Sequence, residues 1–236
     1  MKTETKRSTF ATSAVGLATG GLMAALLSST VLAAEVTDQR LLNAANESQN
    51  WLHIHGNYDA TRFSKLSQIN RNNAGNLKLA FAVALGGQQK SWIIGGTLQG
   101  TPLVNDGDMY VANGWGETFK IDVRSGRRGA IRWIMDPGVD PSEADLPNNR
   151  GVALYENLVL MATADCYVVA LDATTGEVVW ETEIEDYSTG YYMTLAPLVA
   201  KGKVMVGVSG GEFGIRGFIV ALDAKTGQPA WKTYTI

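Results

Sequence analysis

ALDATTGEVVW (170–180) and ALDAKTGQPAW (221–231) agree at Ala, Leu, Asp, Ala, Thr, Gly and Trp and lie 51 residues apart. A looser copy, KIDVRSGRRGAIRW (120–133), keeps Asp122, Gly126 and Trp133 with three extra residues in its turn, and a weaker one, NNAGNLKLAF (72–81), ends at Phe81. The closing aromatics Phe81, Trp133, Trp180 and Trp231 are therefore spaced by 52, 47 and 51 residues. A period near fifty is the length of a propeller blade.

Strand-like runs precede each copy: GTPLVNDGDMYVAN (100–113), GVALYENLVLMATA (151–164) and LAPLVAKGKVMVGVS (195–209). Asn-Asp-Gly, Glu-Asn and Lys-Gly interrupt them as hairpin signals. In DATTG and DAKTG the Asp can bond the turn backbone, and the Gly takes a positive φ. No helical periodicity follows residue 33. The repeating unit reads as a four-stranded antiparallel sheet. Stacked radially, such sheets cover their faces, with Trp133, Trp180 and Trp231 packed between neighbours as scaffold. The fold class is thus an all-β propeller, with about four blades in the chain.

Composition narrows the rest. Lys2, Lys6 and Arg7 precede an uncharged stretch, Ser8 to Ala34, ending in VLAAE. This is the pattern of a secretory signal peptide over 1–33, with the small residues Val31 and Ala33 before a cut at Ala34. A retained membrane anchor is the alternative, weakened by the Gly, Ser and Thr in the stretch. Loss of 1–33 also removes Glu4, and the formal charge moves from −3 to −5. An acidic exported chain is a poor nucleic-acid binder. Cys166 is the one cysteine. It can form no intrachain disulfide and reads as a small buried side chain.

The A-x-D-x-x-T-G-x-x-x-W repeat, with the opening NWLHIHGNYDATRFSKLSQINRNNAGNLKLAF (50–81), resembles the pyrroloquinoline quinone (PQQ) dependent alcohol dehydrogenases. These are secreted eight-bladed propellers. The resemblance covers 50–236 and implies that the chain corresponds to the first half of a family member. It implies periplasmic oxidation of an alcohol by hydride transfer to metal-activated PQQ, with cytochrome c or a quinone as electron acceptor. A small aromatic polyanion wants guanidinium, hydroxyl and backbone N–H donors.

Residue by residue, PNNRG makes Arg150 a partner of a quinone carboxylate or carbonyl, and YMTLAPLV makes Thr194 a cofactor-contacting hydroxyl. SGGE places Ser209, Gly210 and Gly211 along the quinone, and gives Glu212 to a divalent or trivalent metal, calcium or a lanthanide. Hard cations take oxygen ligands.

Two departures stand out. Gln99 occupies a position where the family commonly has Glu, so that contact is neutral. Ala144 and Asp145 stand where many alcohol-oxidising members carry adjacent cysteines. The catalytic aspartate of the family would lie beyond Ile236.

His53 and His55 form a His-x-His pair able to bind metal, for which a structural role is preferred. Tyr187, Tyr191 and Tyr192 border either the blade surface or the cofactor funnel. The glycine-rich SGGEFGIRG runs from strand to strand rather than into a helix, so it is not a phosphate cradle. The rival classes are a non-enzymatic propeller of the outer-membrane assembly type, which would lack Arg150 and SGGE, and an inactive truncated product.

Overall fold

The computed structural model describes residues 33–86, 97–140 and 148–236. Most of the leader, and with it the Ala144–Asp145 departure, lies outside them.

The described chain opens with a short helix, α1 (Asp38–Leu42), whose Thr37 cap accepts from the Arg40 N–H. Five residues are too few to write a 3.6-residue period into the sequence, which is why no periodicity announces it. A two-residue strand, β1 (Thr97–Leu98), pairs in parallel with β6 (Asn148–Asn149). Three four-stranded antiparallel sheets carry the rest. Blade 1 is β2 (Leu103–Asn105), β3 (Asp108–Ala112), β4 (Thr118–Asp122) and β5 (Ala130–Met135). Blade 2 is β7 (Ala153–Tyr155), β8 (Leu158–Ala162), β9 (Tyr167–Asp172) and β10 (Val178–Glu183). Blade 3 is β11 (Leu198–Ala200), β12 (Lys203–Gly207), β13 (Phe218–Asp223) and β14 (Pro229–Tyr234).

The hairpin signals act as read. Asp106 and Gly107 (φ 49° and 82°) and Lys201 and Gly202 (φ 50° and 69°) place both central residues at positive φ, the turn whose twist matches the strands it joins. At the opposite hairpin of blade 2, Asp172 Oδ1 accepts from Thr174 N and Thr175 N at 2.7 and 2.9 Å, and Gly176 N donates to Asp172 O. Asp223 repeats this with Lys225 N, Thr226 N and Gly227 N.

These turns also seat the preceding blade. Trp133 Nε1 donates to Ala173 O at 3.2 Å, and Trp180 Nε1 to Ala224 O at 3.1 Å. A Cβ on Gly176 would lie 2.7 Å from Trp133, and one on Gly227 2.6 Å from Trp180. Each glycine therefore serves its turn and the indole lying on it. Blade 2, covered on both sides, buries nearly all of β8 and β9. Each fully buried Val, Leu or Met there contributes roughly 1.5–3 kcal/mol.

The weakest repeat copy departs from expectation. Residues 77–86 form no named strand, because no neighbouring strand among the described residues offers them a ladder. They keep the strand alternation: Phe81, Val83 and Leu85 are half-buried while Ala82, Ala84 and Gly86 are exposed. Val83 and Leu85 pack on Val111, Phe119 and Ile121 of blade 1. Phe81 and Val83 crowd Gly129, where a Cβ would lie 3.1 and 2.5 Å from them. The three extra residues in the blade 1 turn thus shift the seat from Gly126, which meets nothing within 4 Å, to Gly129. The described residues hold three complete blades and one stray strand-like segment, against an expectation of about four blades.

Candidate functional site

Strand alternation fixes which loops meet. In each blade the lead into the first strand and the hairpin between the second and third strands share one end. The Asp-x-x-Thr-Gly turns occupy the other. Gln99, Arg150 and Thr194 lie three or four residues ahead of β2, β7 and β11, at the same place in three successive blades. The SGGE loop leaves β12 at that same end. All seven candidate residues therefore share one end of the blades.

Contacts tie them together. The parallel pairing Thr97↔Asn148 and Leu98↔Asn149 brings Gln99 beside Arg150, and Gln99 Nε2 donates to Thr97 Oγ1 at 3.0 Å. The Gly100 and Gly151 backbones touch, since a Cβ on Gly100 would lie 3.5 Å from Gly151 Cα. Arg150 N and Nη1 each donate to Thr194 O at 3.1 Å, and Nη1 also bonds the Thr194 hydroxyl. Thr194 is buried, whereas Arg150 and Gln99 are exposed.

Tyr192, left open by the sequence, belongs to this group. Its backbone exchanges hydrogen bonds with Ser209 at 2.9 and 3.2 Å, and its hydroxyl donates to Glu212 Oε1 at 2.5 Å. The ring meets Phe213 edge-on, with centroids 6.3 Å apart. Burial, then the bond to Glu212, pushes the Tyr192 phenol up to about 12, with Arg150 pulling the other way. That same bond, then a backbone N–H, holds the exposed Glu212 carboxyl below the usual carboxylate range. Glu212 is thus ionised at neutral pH beside a phenol that stays protonated. A tyrosine two residues ahead of a candidate cofactor threonine was the available signal, but three tyrosines stood in that stretch with nothing local to choose among them.

The glycines of the loop separate into two kinds. Gly210 has φ 122°, and a Cβ on it would collide with Gly190 O at 2.1 Å, so the chain itself requires glycine there. Gly211 has neither constraint, with nothing within 4 Å of its Cβ position. The loop crosses from β12 to β13 through one 3-10 turn, Gly211–Phe213.

The remaining polar candidates have protein partners. His53 Nε2 lies 3.0 Å from Leu41 O and its ring 4.3 Å from that of Tyr58. His55 Nδ1 accepts from Arg62 Nε at 3.0 Å. Cys166 is fully buried, and burial pushes its thiol up to about 12, away from reactive thiolate. Among the described residues no three His, Cys, Asp or Glu side chains converge to hold a metal. No helix among them is long and apolar enough to cross a membrane.

Residues 51–235 match the PQQ family described as the glucose/ethanol/alcohol dehydrogenase β-propeller domain. The chain belongs to this family. Among relatives of this PQQ propeller, the alcohol dehydrogenase (quinone) dehydrogenase subunit of Gluconacetobacter polyoxogenes is 36% identical, covering 93% of this chain and 31% of that protein. Methanol dehydrogenase [cytochrome c] subunit 1 of Methylobacterium organophilum is also 36% identical, covering 96% and 36%. The solved quinohemoprotein alcohol dehydrogenase ADHIIG of Pseudomonas putida HK5 superposes with a TM-score of 0.79 at 35% identity, covering 86% of this chain and 29% of that one. A europium-containing methanol dehydrogenase gives 0.74 at 35%, covering 83% and 34%. This PQQ propeller chain spans about a third of the length of the relatives it matches.

Proposed function

We propose that the chain is the N-terminal, cofactor-holding part of an exported PQQ-dependent alcohol dehydrogenase. The observation that carries this is the alignment of Gln99, Arg150 and Thr194 at one place in three successive blades, facing the loop that bears Glu212. The donor set fits the cofactor: a guanidinium for a carboxylate, a hydroxyl and an amide for carbonyls, and an uncrowded glycine where a flat ring can approach the backbone. When bound, PQQ supplies the two-electron acceptor for a hydride from the alcohol carbon.

In this reading Arg150 orients the quinone by charge, Thr194 accepts from the guanidinium and keeps its hydroxyl proton for the cofactor, and Ser209 and Gly210 bring backbone to the ring edge. Gln99 adds a neutral hydrogen bond where the family resemblance implies a charged one. Glu212 supplies oxygen to calcium or a lanthanide. Hard cations of this size take six or more oxygens, of which Glu212 would supply one or two. The europium of one solved relative favours the lanthanide option. Proton removal from the alcohol falls to an aspartate outside residues 1–236. Relatives named for cytochrome c and for quinone point to one of these as electron acceptor. The leader over 1–33 sends the protein to the periplasm.

The test is PQQ titration of the full-length protein with calcium or a lanthanide present, followed by the quinone absorbance. Arg150→Ala weakens binding by about 10- to 100-fold, as loss of one charged hydrogen-bonding partner does. Glu212→Gln abolishes metal-dependent alcohol oxidation with the fold unchanged. Wild-type protein that binds no quinone overturns the reading, and a metal-dependent rate unaltered by Glu212→Gln removes Glu212 from the metal site.

A further inference from the structure

The far end of the molecule carries a second constellation, unrelated to the candidate cofactor site. Ala34 N–H donates to Asp106 Oδ2 at 2.9 Å across 72 residues of sequence. Ala34 O accepts from Arg40 Nη1 at 2.9 Å and Asn105 Nδ2 at 2.7 Å. Asp106 sits at positive φ in the β2–β3 turn, which a network holds still. Its N–H donates to Asn50 Oδ1 at 2.8 Å, and Asn50 Nδ2 returns to its Oδ1 at 3.2 Å. Asn50 and Arg40 both converge on Glu47 Oε2, at 2.9 and 2.6 Å. Val36 then exchanges backbone hydrogen bonds with Glu156 at 2.8 and 3.0 Å, in the corresponding turn of blade 2. Residues 34–36 therefore strap the first turns of two blades together.

One carboxylate oxygen of Asp106 is satisfied by Asn50 and the other by Ala34, and the Arg40 guanidinium acts on it only at longer range, its hydrogen bonds going to Glu47, Ala34, Glu35 and Asn105. A single neutral N–H is a weak partner for a carboxylate. An ammonium in its place would make a charge-assisted bond of roughly twice the strength. The sequence puts small residues, Val31 and Ala33, at the positions a leader peptidase requires for a cut before Ala34.

We infer that the processing site is the Ala33–Ala34 bond, and that the α-ammonium released on Ala34 forms an ion pair with Asp106 that latches the mature N-terminus onto blade 1. In the cut, water adds across the amide. Ala33 leaves with the leader as a carboxylate, and Ala34 keeps the nitrogen as an ammonium 2.9 Å from its partner. The cut thus replaces a neutral contact with a charged one at a preformed acceptor. The inference rests on the export reading only for the peptidase; Asp106 and its network stand apart from it.

The test begins with the intact mass of the full-length protein recovered from the periplasm, expected to start at Ala34. Thermal unfolding is then compared for four proteins: wild type, Asp106→Asn, a form with one glycine inserted between Ala33 and Ala34, and both changes combined. Asn tolerates the positive φ and keeps one acceptor for Asn50, while its NH2 replaces the oxygen facing Ala34, so the substitution removes the charge and that acceptor together. The inserted glycine turns the Ala34 ammonium back into an amide. Asp106→Asn lowers Tm by about 1 °C or less in the authentic protein, the scale of one exposed ion pair in a chain about three times the length of this one, and by less in the glycine-extended one. An exported protein beginning at another residue overturns the latch and leaves export standing. A retained leader overturns the latch and cleavage together. An equal loss with and without the glycine also overturns the latch.

Discussion

Trp133 and Trp231 close the same strand in two blades and have opposite surroundings. Trp133 is 6% exposed, its ring over Gly176 and its N–H on Ala173 O, while Trp231 is 44% exposed on a strand with no buried residue. Trp180, whose motif nearly matches that of Trp231, is seated on Gly227, so the motif does not do the burying. A neighbour's turn does. An indole becomes scaffold only when an Asp-x-x-Thr-Gly turn from the following blade lies across it, presenting a carbonyl and a side chain of zero width. Trp180 on Gly227 shows that arrangement a second time.

The largest contrast to test is between the two tryptophans. Trp133→Ala costs about 3–5 kcal/mol, as deletion of a buried aromatic does. In the 236-residue chain Trp231→Ala costs less than about 1 kcal/mol, as surface substitutions do, and the cost rises toward that of Trp133 where a following blade supplies the covering turn. Urea unfolding of the two variants measures both, and equal losses would break the comparison. The glycines under the indoles come next. Gly176→Ala combines about 1–2 kcal/mol of left-handed backbone strain with a further 1–3 kcal/mol of overpacking against Trp133. Gly126→Ala, at φ 62° with nothing within 4 Å, pays about 1–2 kcal/mol for the backbone alone. A smaller cost at Gly176 than at Gly126 would show that the indole yields.

Below these lies the turn itself. Asp172→Ala strips the acceptor from two turn N–H groups that water can partly satisfy, a loss of about 1 kcal/mol. A Trp133 fluorescence shift accompanying that loss would tie the turn to its seated indole. The smallest effect is acidic. Lys203, bonded to Asp223 at 3.0 Å, holds that carboxyl below its usual range. Its contribution is complete above the ordinary aspartate value and disappears as pH falls through the lowered one. The pair is more than a third exposed, so screening limits the contribution to less than about 1 kcal/mol. Melting between pH 6 and pH 2 should show this loss in wild type and not in Asp223→Asn.

Much of this was written locally. The Asp, Thr and Gly of each turn lie within five residues, and hydrogen bonds between near neighbours are what such strings encode. Phe81 marks the limit: its repeat copy was recognisable and its alternation real, but a strand exists only with a ladder, and no short window contains the partner. The site shows the same division. Arg150, Thr194 and the glycine loop could be named from the family resemblance, whereas the pairing of Arg150 with Thr194 and the role of Tyr192 could not.

The sequence by itself determined the repeat, the hairpin turns and the residue type at each seat. Each depends on contacts between residues a few positions apart or on a period that repetition makes visible. Tertiary structure alone decided which indole is buried, that Gly210 answers to Gly190 O while Gly211 meets none of the described residues, and that Ala34 meets Asp106. Those contacts join residues 20 to 72 positions apart. Closing such loops costs entropy that only the packed blades repay, so no local stretch of sequence can announce them.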